Sequence, residues 1–164
     1  VLDYLLDNNF KIIFRPHQEH YKRSKHIIEK LIKNYENKNN FILDQNDNNL
    51  FALSNSNLLI TDYSGIALEF LFVFKKPFII VNDLKKIHNK NFEKINKDTF
   101  EEKVYREFGH FVESSNLLNI KEDINEAKKK FEFKKKKLEE FLNTNTYDFQ
   151  TASEKIYQDL IKKN

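Results

Sequence analysis

The chain has 164 residues, a formal net charge of +3 from 28 basic and 25 acidic side chains, 40% hydrophobic residues and a mean hydropathy of −0.70. That length suits one compact domain with a sizeable core, and so mild a charge gives no sign of a nucleic-acid partner. The absence of cysteine excludes disulfide frameworks and thiolate metal sites, and no apolar run approaches the ~20 residues of a membrane-spanning helix.

The start, Val1-Leu2-Asp3-Tyr4, has no initiator methionine and no signal-peptide pattern, and it lies inside an amphipathic helix. The chain therefore reads as a piece of something longer. Leu2, Leu5 and Leu6 share one helical face and end at the turn-prone pair Asn8-Asn9. Residues 10–14 predict a short buried strand stopped by Pro16, which lacks the amide a central ladder needs. Over residues 21–35, Ile27, Ile28, Leu31, Ile32 and Tyr35 follow helical spacing. Residues 41–43 predict a second strand, and residues 50–53 a short helix after the polar stretch from Asp44 to Asn49.

Residues 58–61 predict a third strand, Ile66 to Phe74 a helix, and residues 78–81 a fourth strand after Pro77. Strands alternate with helices, and their apolar runs lack period-2 alternation, as expected of strands buried on both faces. The predicted fold is α/β: an open parallel sheet with flanking helices, Rossmann-like, forming a single domain over residues 1–164. Residues 83–97 read as a polar loop, and residues 100–111 have no clear assignment. Long helices are predicted over residues 120–142 and 152–163.

Two segments carry candidate chemistry. Thr61, Asp62, Tyr63, Ser64 and Gly65 stand where a predicted strand meets a predicted helix. Ligands of open α/β sheets bind beyond the carboxyl ends of strands, and free amides at a helix start favour an anion. Ser64 adds a hydroxyl donor, and Gly65 lets the backbone approach a phosphate. Asp62 and Ser64 are equally suited to plain helix capping. Glu69 can accept hydrogen bonds from ribose hydroxyls, and its place among Leu68, Phe70 and Leu71 would make an idle charge costly.

The second segment is Arg15-Pro16-His17, at the carboxyl end of the first strand and on the same sheet edge if the strands are parallel. Arginine offers a planar fork for phosphate oxygens, and histidine can give a hydrogen bond or proton to a departing phosphate. A surface histidine in a strand-end turn is the plainer alternative. His17, Glu19 and His20 make a poor metal site, and none is assigned.

Together these segments resemble the CDP-glycerol glycerophosphotransferase family of bacterial teichoic-acid and capsule enzymes. The family pattern is a strand followed by R-P-H-P, then L-I-T-D-Y-S-S, a hydrophobic E-F-L run and K-P before a strand. Here the counterparts are Arg15-Pro16-His17-Gln18 and Leu59-Ile60-Thr61-Asp62-Tyr63-Ser64-Gly65, then Glu69-Phe70-Leu71 and Lys76-Pro77, so the resemblance covers roughly residues 1–82. Gln18 replaces the second proline, Gly65 the second serine and Asn57 an aspartate, while Lys75 stands where glycine is frequent.

The resemblance implies the C-terminal, donor-binding half of a two-domain GT-B-type transferase that needs no tightly bound metal or other cofactor. In that reading Arg15 and His17 stabilise the donor pyrophosphate, with His17 catalytic, Thr61, Asp62, Ser64 and Gly65 bind its oxygens, and Glu69 holds the ribose. The implied partners are CDP-glycerol or a related nucleotide-diphosphate donor, a missing N-terminal domain carrying the acceptor base, and a polymer or lipid-linked acceptor. The implied location is the cytoplasm, with peripheral contact at the inner face of the membrane, and the isolated chain is expected to bind without turnover.

A sugar-nucleotide glycosyltransferase shares the loop-to-glutamate spacing but does not explain Arg15-Pro16-His17. A non-catalytic receiver-like module is disfavoured by that basic corner, and an NAD enzyme by the presence of only Gly65 and Gly109. The seven lysines of residues 128–137 read as a solvated helix face, the alternative being attraction to anionic lipid at about 1 kcal/mol per basic residue. His110 reads as structural, and His88 carries no signal.

Overall fold

The computed structural model describes residues 1–81, 91, 94, 98–146, 148 and 151–162. Most of the loop predicted over residues 83–97, His88 included, lies outside the described residues.

The chain opens with α1 (Leu2–Asp7), whose Leu5 and Leu6 are buried, and turns at Asn9 in the left-handed region at φ 62°, a conformation asparagine tolerates. β1 (Ile12–Phe14) is shorter than predicted, because the amide of Phe10 is still occupied by the Leu5 carbonyl of the helix turn. The single helix predicted over residues 21–35 is divided into α2 (Gln18–Arg23) and α3 (Lys25–Tyr35). The break falls at Ser24, at φ −137° and ψ 34°, where its amide closes α2 onto the His20 carbonyl. Serine competes with the helical backbone for hydrogen bonds and tolerates such a junction.

β2 (Phe41–Leu43), α4 (Leu50–Asn55), β3 (Leu59–Thr61), α5 (Ile66–Phe74) and β4 (Phe78–Val81) follow in the predicted order. The unassigned stretch resolves into α6 (Phe100–Phe108) and β5 (His110–Val112). A capping box starts α6: Thr99 Oγ1 accepts from the Glu102 amide and the Glu102 carboxylate from the Thr99 amide. A 3-10 segment (Ser114–Asn119) leads into α7 (Ile120–Asn145), and α8 (Ala152–Lys162) follows with all its residues exposed.

Among the described residues all strand pairs are parallel, but the ladders form two sheets, β1-β2 and β3-β4-β5. The expectation of parallel strands with flanking helices holds; that of one continuous hydrogen-bonded sheet does not. What unites the two sheets is apolar packing: Ile12 of β1 and Leu58 and Ile60 at β3 pack against one cluster built from Leu5, Ile79, Val112, Ile120, Ile124 and Ala127.

β4 is the central strand of its sheet, with Phe78, Ile79 and Ile80 all essentially inaccessible. Its side chains alternate between faces, as strand geometry demands. Ile79 enters the cluster just named, while Phe78 and Ile80 enter the other, with Phe70, Leu71, Val104, Tyr105 and Phe108. The long helix α7 serves both, through Ile120, Ile124 and Ala127 in its first half and Phe131, Leu138 and Leu142 in its second.

Gly109 sits where α6 meets β5 against β4. A Cβ there would lie 2.6 Å from the Tyr105 carbonyl oxygen and 2.8 Å from the Phe78 ring, so only glycine fits.

Part of the lysine run turns inward. Lys130 donates to the Gly109 carbonyl, and Lys134 to the Glu107 carbonyl and carboxylate at 2.7 Å each. Lys137 also reaches Glu107, at 3.0 Å, so cations gather at the C-terminal end of α6, where the helix dipole favours them. Hydrogen bonds from Lys134 and Lys137 hold the Glu107 carboxyl below its usual range. Lys128, Lys129, Lys135 and Lys136 remain exposed beside Phe133, which is 80% exposed. Among the described residues, no helix is long and apolar enough to cross a membrane.

Candidate functional site

The register of β1 on β2 pairs Phe14 with Leu43, so the next residues, Arg15 and Asp44, emerge side by side at the carboxyl edge. They form an ion pair with Arg15 Nη1 2.8 Å from Asp44 Oδ2, the aspartate side chain fully buried and the arginine 22% exposed. Asp44 Oδ1 accepts from the amide of Asn46 at 3.1 Å and from its side chain at 2.5 Å. Burial alone would raise the Asp44 pKa. The hydrogen bonds from Asn46 and Arg15 outweigh it, and the carboxyl titrates below its ordinary value. One guanidinium nitrogen is thus committed to Asp44, and the same fork has further N–H groups for another acceptor.

His17 is the N-cap of α2: its Nδ1 accepts from the Glu19 amide at 3.2 Å, and the ring is exposed. With Nδ1 accepting, the ring nitrogen left to donate is Nε2.

Residues 61–65 connect β3 to α5. Tyr63 anchors the loop, its ring centroid 5.9 Å from Tyr105 and 6.2 Å from Phe111. Tyr105 Oη donates to the Ser64 carbonyl at 3.0 Å, a second tether from α6. Burial, aided by Glu101 and Asp62, pushes the Tyr105 hydroxyl above its usual pKa, so it stays a donor. Thr61 ends β3, with Oγ1 3.5 Å from Asp62 Oδ1, and Asp62 is exposed.

No side chain caps α5, so the capping roles open to Asp62 and Ser64 are not taken up. Among the described hydrogen bonds, the amides of Gly65 and Ile66 have no partner. Gly65 is exposed at an ordinary φ of −54°, and a Cβ there would meet nothing within 4 Å. Its contribution is open space over the helix start, not a special conformation.

Glu69 is exposed, because helical periodicity turns Ala67, Phe70 and Leu71 inward and carries Glu69 to the outer face of α5. The cost of an idle charge in an apolar run therefore does not apply to it. Its Oε2 accepts from Asn49 Nδ2 at 2.8 Å.

No hydrogen bond or ion pair among the described residues joins Arg15 or His17 to residues 61–65 directly. The link is the 44–49 loop, which holds Arg15 through Asp44 at one end and Glu69 through Asn49 at the other. Five Cα steps of about 3.8 Å keep those ends within roughly 19 Å.

Asp44, Asn46 and Asn49 are the residues that sequence reading passed over. Asp44 had a signal, since it follows its strand just as Arg15 follows its own. A cavity of about 200 Å³ lies beside the pair, its lining including Arg15, Tyr21, Asp44, Gln45, Asn46 and Asp47. Among the described residues the buried Tyr21 hydroxyl has no hydrogen-bond partner, which costs ~1–3 kcal/mol.

His110 lies at the opposite, amino end of β5, paired with Ile79, and its Nε2 is 2.9 Å from Asp123 Oδ1 of α7. It ties strand to helix away from the carboxyl edge. A larger hollow of about 380 Å³ between α6 and α7 is lined by two ion pairs, Arg106 with Asp98 and Lys137 with Glu107, together with Lys103 and Phe141. Among the described residues, no three His, Asp or Glu side chains are grouped to hold a metal ion.

Small parallel sheets with flanking helices define an α/β protein. The chain belongs to the CDP-glycerol:poly(glycerophosphate) glycerophosphotransferase family, whose family model matches residues 1–162. The resemblance seen over residues 1–82 thus extends almost to the end of the chain, and the family is one of transferases. Comparison with curated proteins and with solved structures gave no significant match in either case.

Proposed function

We propose that this chain is the donor-binding half of a GT-B-type enzyme that transfers glycerol phosphate, or a related polyol phosphate, from a CDP-linked donor to a cell-surface polymer acceptor. The observation that carries the reading is the start of α5, where, among the described residues, two amides have no partner and a Cβ at Gly65 would meet nothing within 4 Å, beyond the carboxyl end of β3. Such a helix start attracts phosphate oxygens through its amides and its dipole.

In this reading the acceptor hydroxyl attacks the phosphorus next to glycerol, the pyrophosphate P–O bond breaks and CMP leaves. Ser64 and the α5 amides hold phosphate oxygens, with Thr61 and Asp62 at the loop entrance. Arg15 offers its remaining N–H groups to the pyrophosphate, and His17 donates from Nε2 to the leaving phosphate, offsetting charge as it develops. Glu69 accepts from the ribose hydroxyls. The base that takes the acceptor proton comes from a further domain, so this chain binds donor without turning it over. Exposed lysines around Phe133 fit work beside anionic lipid at the inner face of the cell membrane.

Calorimetric titration with CDP-glycerol, CMP and UDP-N-acetylglucosamine tests the assignment. Cytidine-selective binding is expected. Selectivity for the UDP-sugar would transfer the site to a glycosyltransferase, and absence of all nucleotide binding by the chain would overturn the donor-site reading.

A further inference from the structure

The cavity beside Arg15 has a composition that a second phosphate site would not have. The lining holds one guanidinium, already paired with Asp44, and a second carboxylate in Asp47, so inside the cavity no free cation is offered to a second phosphate. The remaining lining is Pro16 and neutral hydrogen-bonding groups: the side-chain amides of Gln18, Gln45 and Asn46, all three exposed, and Tyr21. The Tyr21 hydroxyl is closed off from solvent and has no partner among the described residues. At about 200 Å³ the cavity is smaller than the ~300 Å³ at which pockets for whole ligands begin. It suits one end of a larger molecule.

We infer that this cavity receives the hydroxylated, polyol end of the donor and selects which polyol phosphate is transferred. The inference rests on the donor-site reading above. Arg15 stands at the boundary: tied by Nη1 to Asp44, it keeps further N–H groups for the phosphate that joins the polyol to the nucleotide. Gln45, Asn46 and Asp47 read hydroxyl groups from the loop that also contacts Glu69 through Asn49. A polyol hydroxyl entering the cavity gives Tyr21 its missing partner. Sites built to hydrogen-bond a hydroxyl discriminate strongly against ligands that lack it, because their own polar groups are then left unpaired.

The test uses the whole chain, wild type, Tyr21→Phe and Gln45→Ala. Gln45 is exposed, so its replacement leaves folding intact even if Tyr21→Phe perturbs packing. Calorimetry gives the ratio of CDP-glycerol to CMP affinity, which is expected to fall about fivefold or more in each variant. Addition of glycerol 3-phosphate alone is expected to shift the side-chain amide resonances of Gln18, Gln45 and Asn46.

If CMP binds and the ratio is unaltered in both variants, the polyol pocket is overturned while the donor reading stands. If CMP fails to bind but glycerol 3-phosphate moves those amides, the pocket stands and the nucleotide reading falls. If neither probe binds, both are overturned.

Discussion

Asp44 and Arg15 each follow the last residue of a strand, and the parallel register brings them together at 2.8 Å with the aspartate fully buried. The pair fixes the corner that carries His17 and orients the guanidinium of the candidate site. Removing the carboxylate leaves Arg15 without its partner and Asn46 without its acceptor. Asp44→Ala is expected to cost about 2–3 kcal/mol in chemical denaturation, the scale of a charged hydrogen bond lost from the interior.

The same carboxylate sets an acid dependence. Its pKa is lowered in the fold, so it contributes stability above the unfolded carboxylate pKa of about 4, and this is lost as pH falls through the folded value. Denaturation midpoints from pH 5 to pH 2 should fall more steeply for wild type than for Asp44→Asn. Parallel profiles would show that the pair does not contribute to acid stability.

His17 caps α2 through Nδ1, and the proposed site adds a donor role for Nε2; two substitutions separate them. His17→Ala loses both, and the cap alone is worth about 1 kcal/mol. His17→Asn keeps a capping acceptor but not the imidazole donor. The asparagine variant is expected to hold its denaturation midpoint while its affinity for CDP-glycerol drops about tenfold, the equivalent of ~1.4 kcal/mol. Equal affinity in wild type and His17→Asn would reduce His17 to a cap.

The two glycines respond in opposite ways. Gly109→Ala drives a Cβ into the Tyr105 carbonyl and the buried Phe78 ring, and is expected to destabilise by about 2–3 kcal/mol. Gly65→Ser meets open space, so its stability should stay within about 0.5 kcal/mol of wild type. The added hydroxyl, in the position where the family pattern has a second serine, is expected to raise CMP affinity about threefold, ~0.7 kcal/mol. Weaker CMP binding in Gly65→Ser would mean that the helix start is not the phosphate site.

Lys75 ends α5 in the left-handed conformation, at φ 50° and ψ 51°, which costs a side-chain-bearing residue ~1–2 kcal/mol. This explains physically why glycine is frequent there in the family pattern. Its ion pair with Glu139, at 3.2 Å, is solvent-exposed and offsets little. Lys75→Gly is expected to stabilise the chain by up to about 1 kcal/mol, read as a higher denaturation midpoint. A lower midpoint would show that the backbone here carries no strain.

Much of the fold was legible because it is local. Helical spacing and short apolar runs placed α1, β2, β3, α5, β4 and α7 to within a few residues. Shorter signals failed: β5 has only His110, Phe111 and Val112, and its partner β4 lies some thirty positions earlier in the chain. The break at Ser24 escaped notice because Tyr21 and Ile28 fit one helical pattern on either side of it. The lysine run was read as a solvated face, yet Lys130, Lys134 and Lys137 turn to the end of α6, a neighbour no local pattern announces.

By itself, the sequence determined the residue chemistry of this protein and its family: Arg15-Pro16-His17 and residues 61–65 are contiguous, and their identities do not depend on folding. Only the tertiary structure decided which of those groups are free and which are engaged. It gave Arg15 to Asp44, turned Glu69 to the surface beside Asn49, and left the start of α5 open. The reason is register. Asp44 stands 29 positions from Arg15 along the chain, and the alignment of two parallel strands sets the distance between their charges.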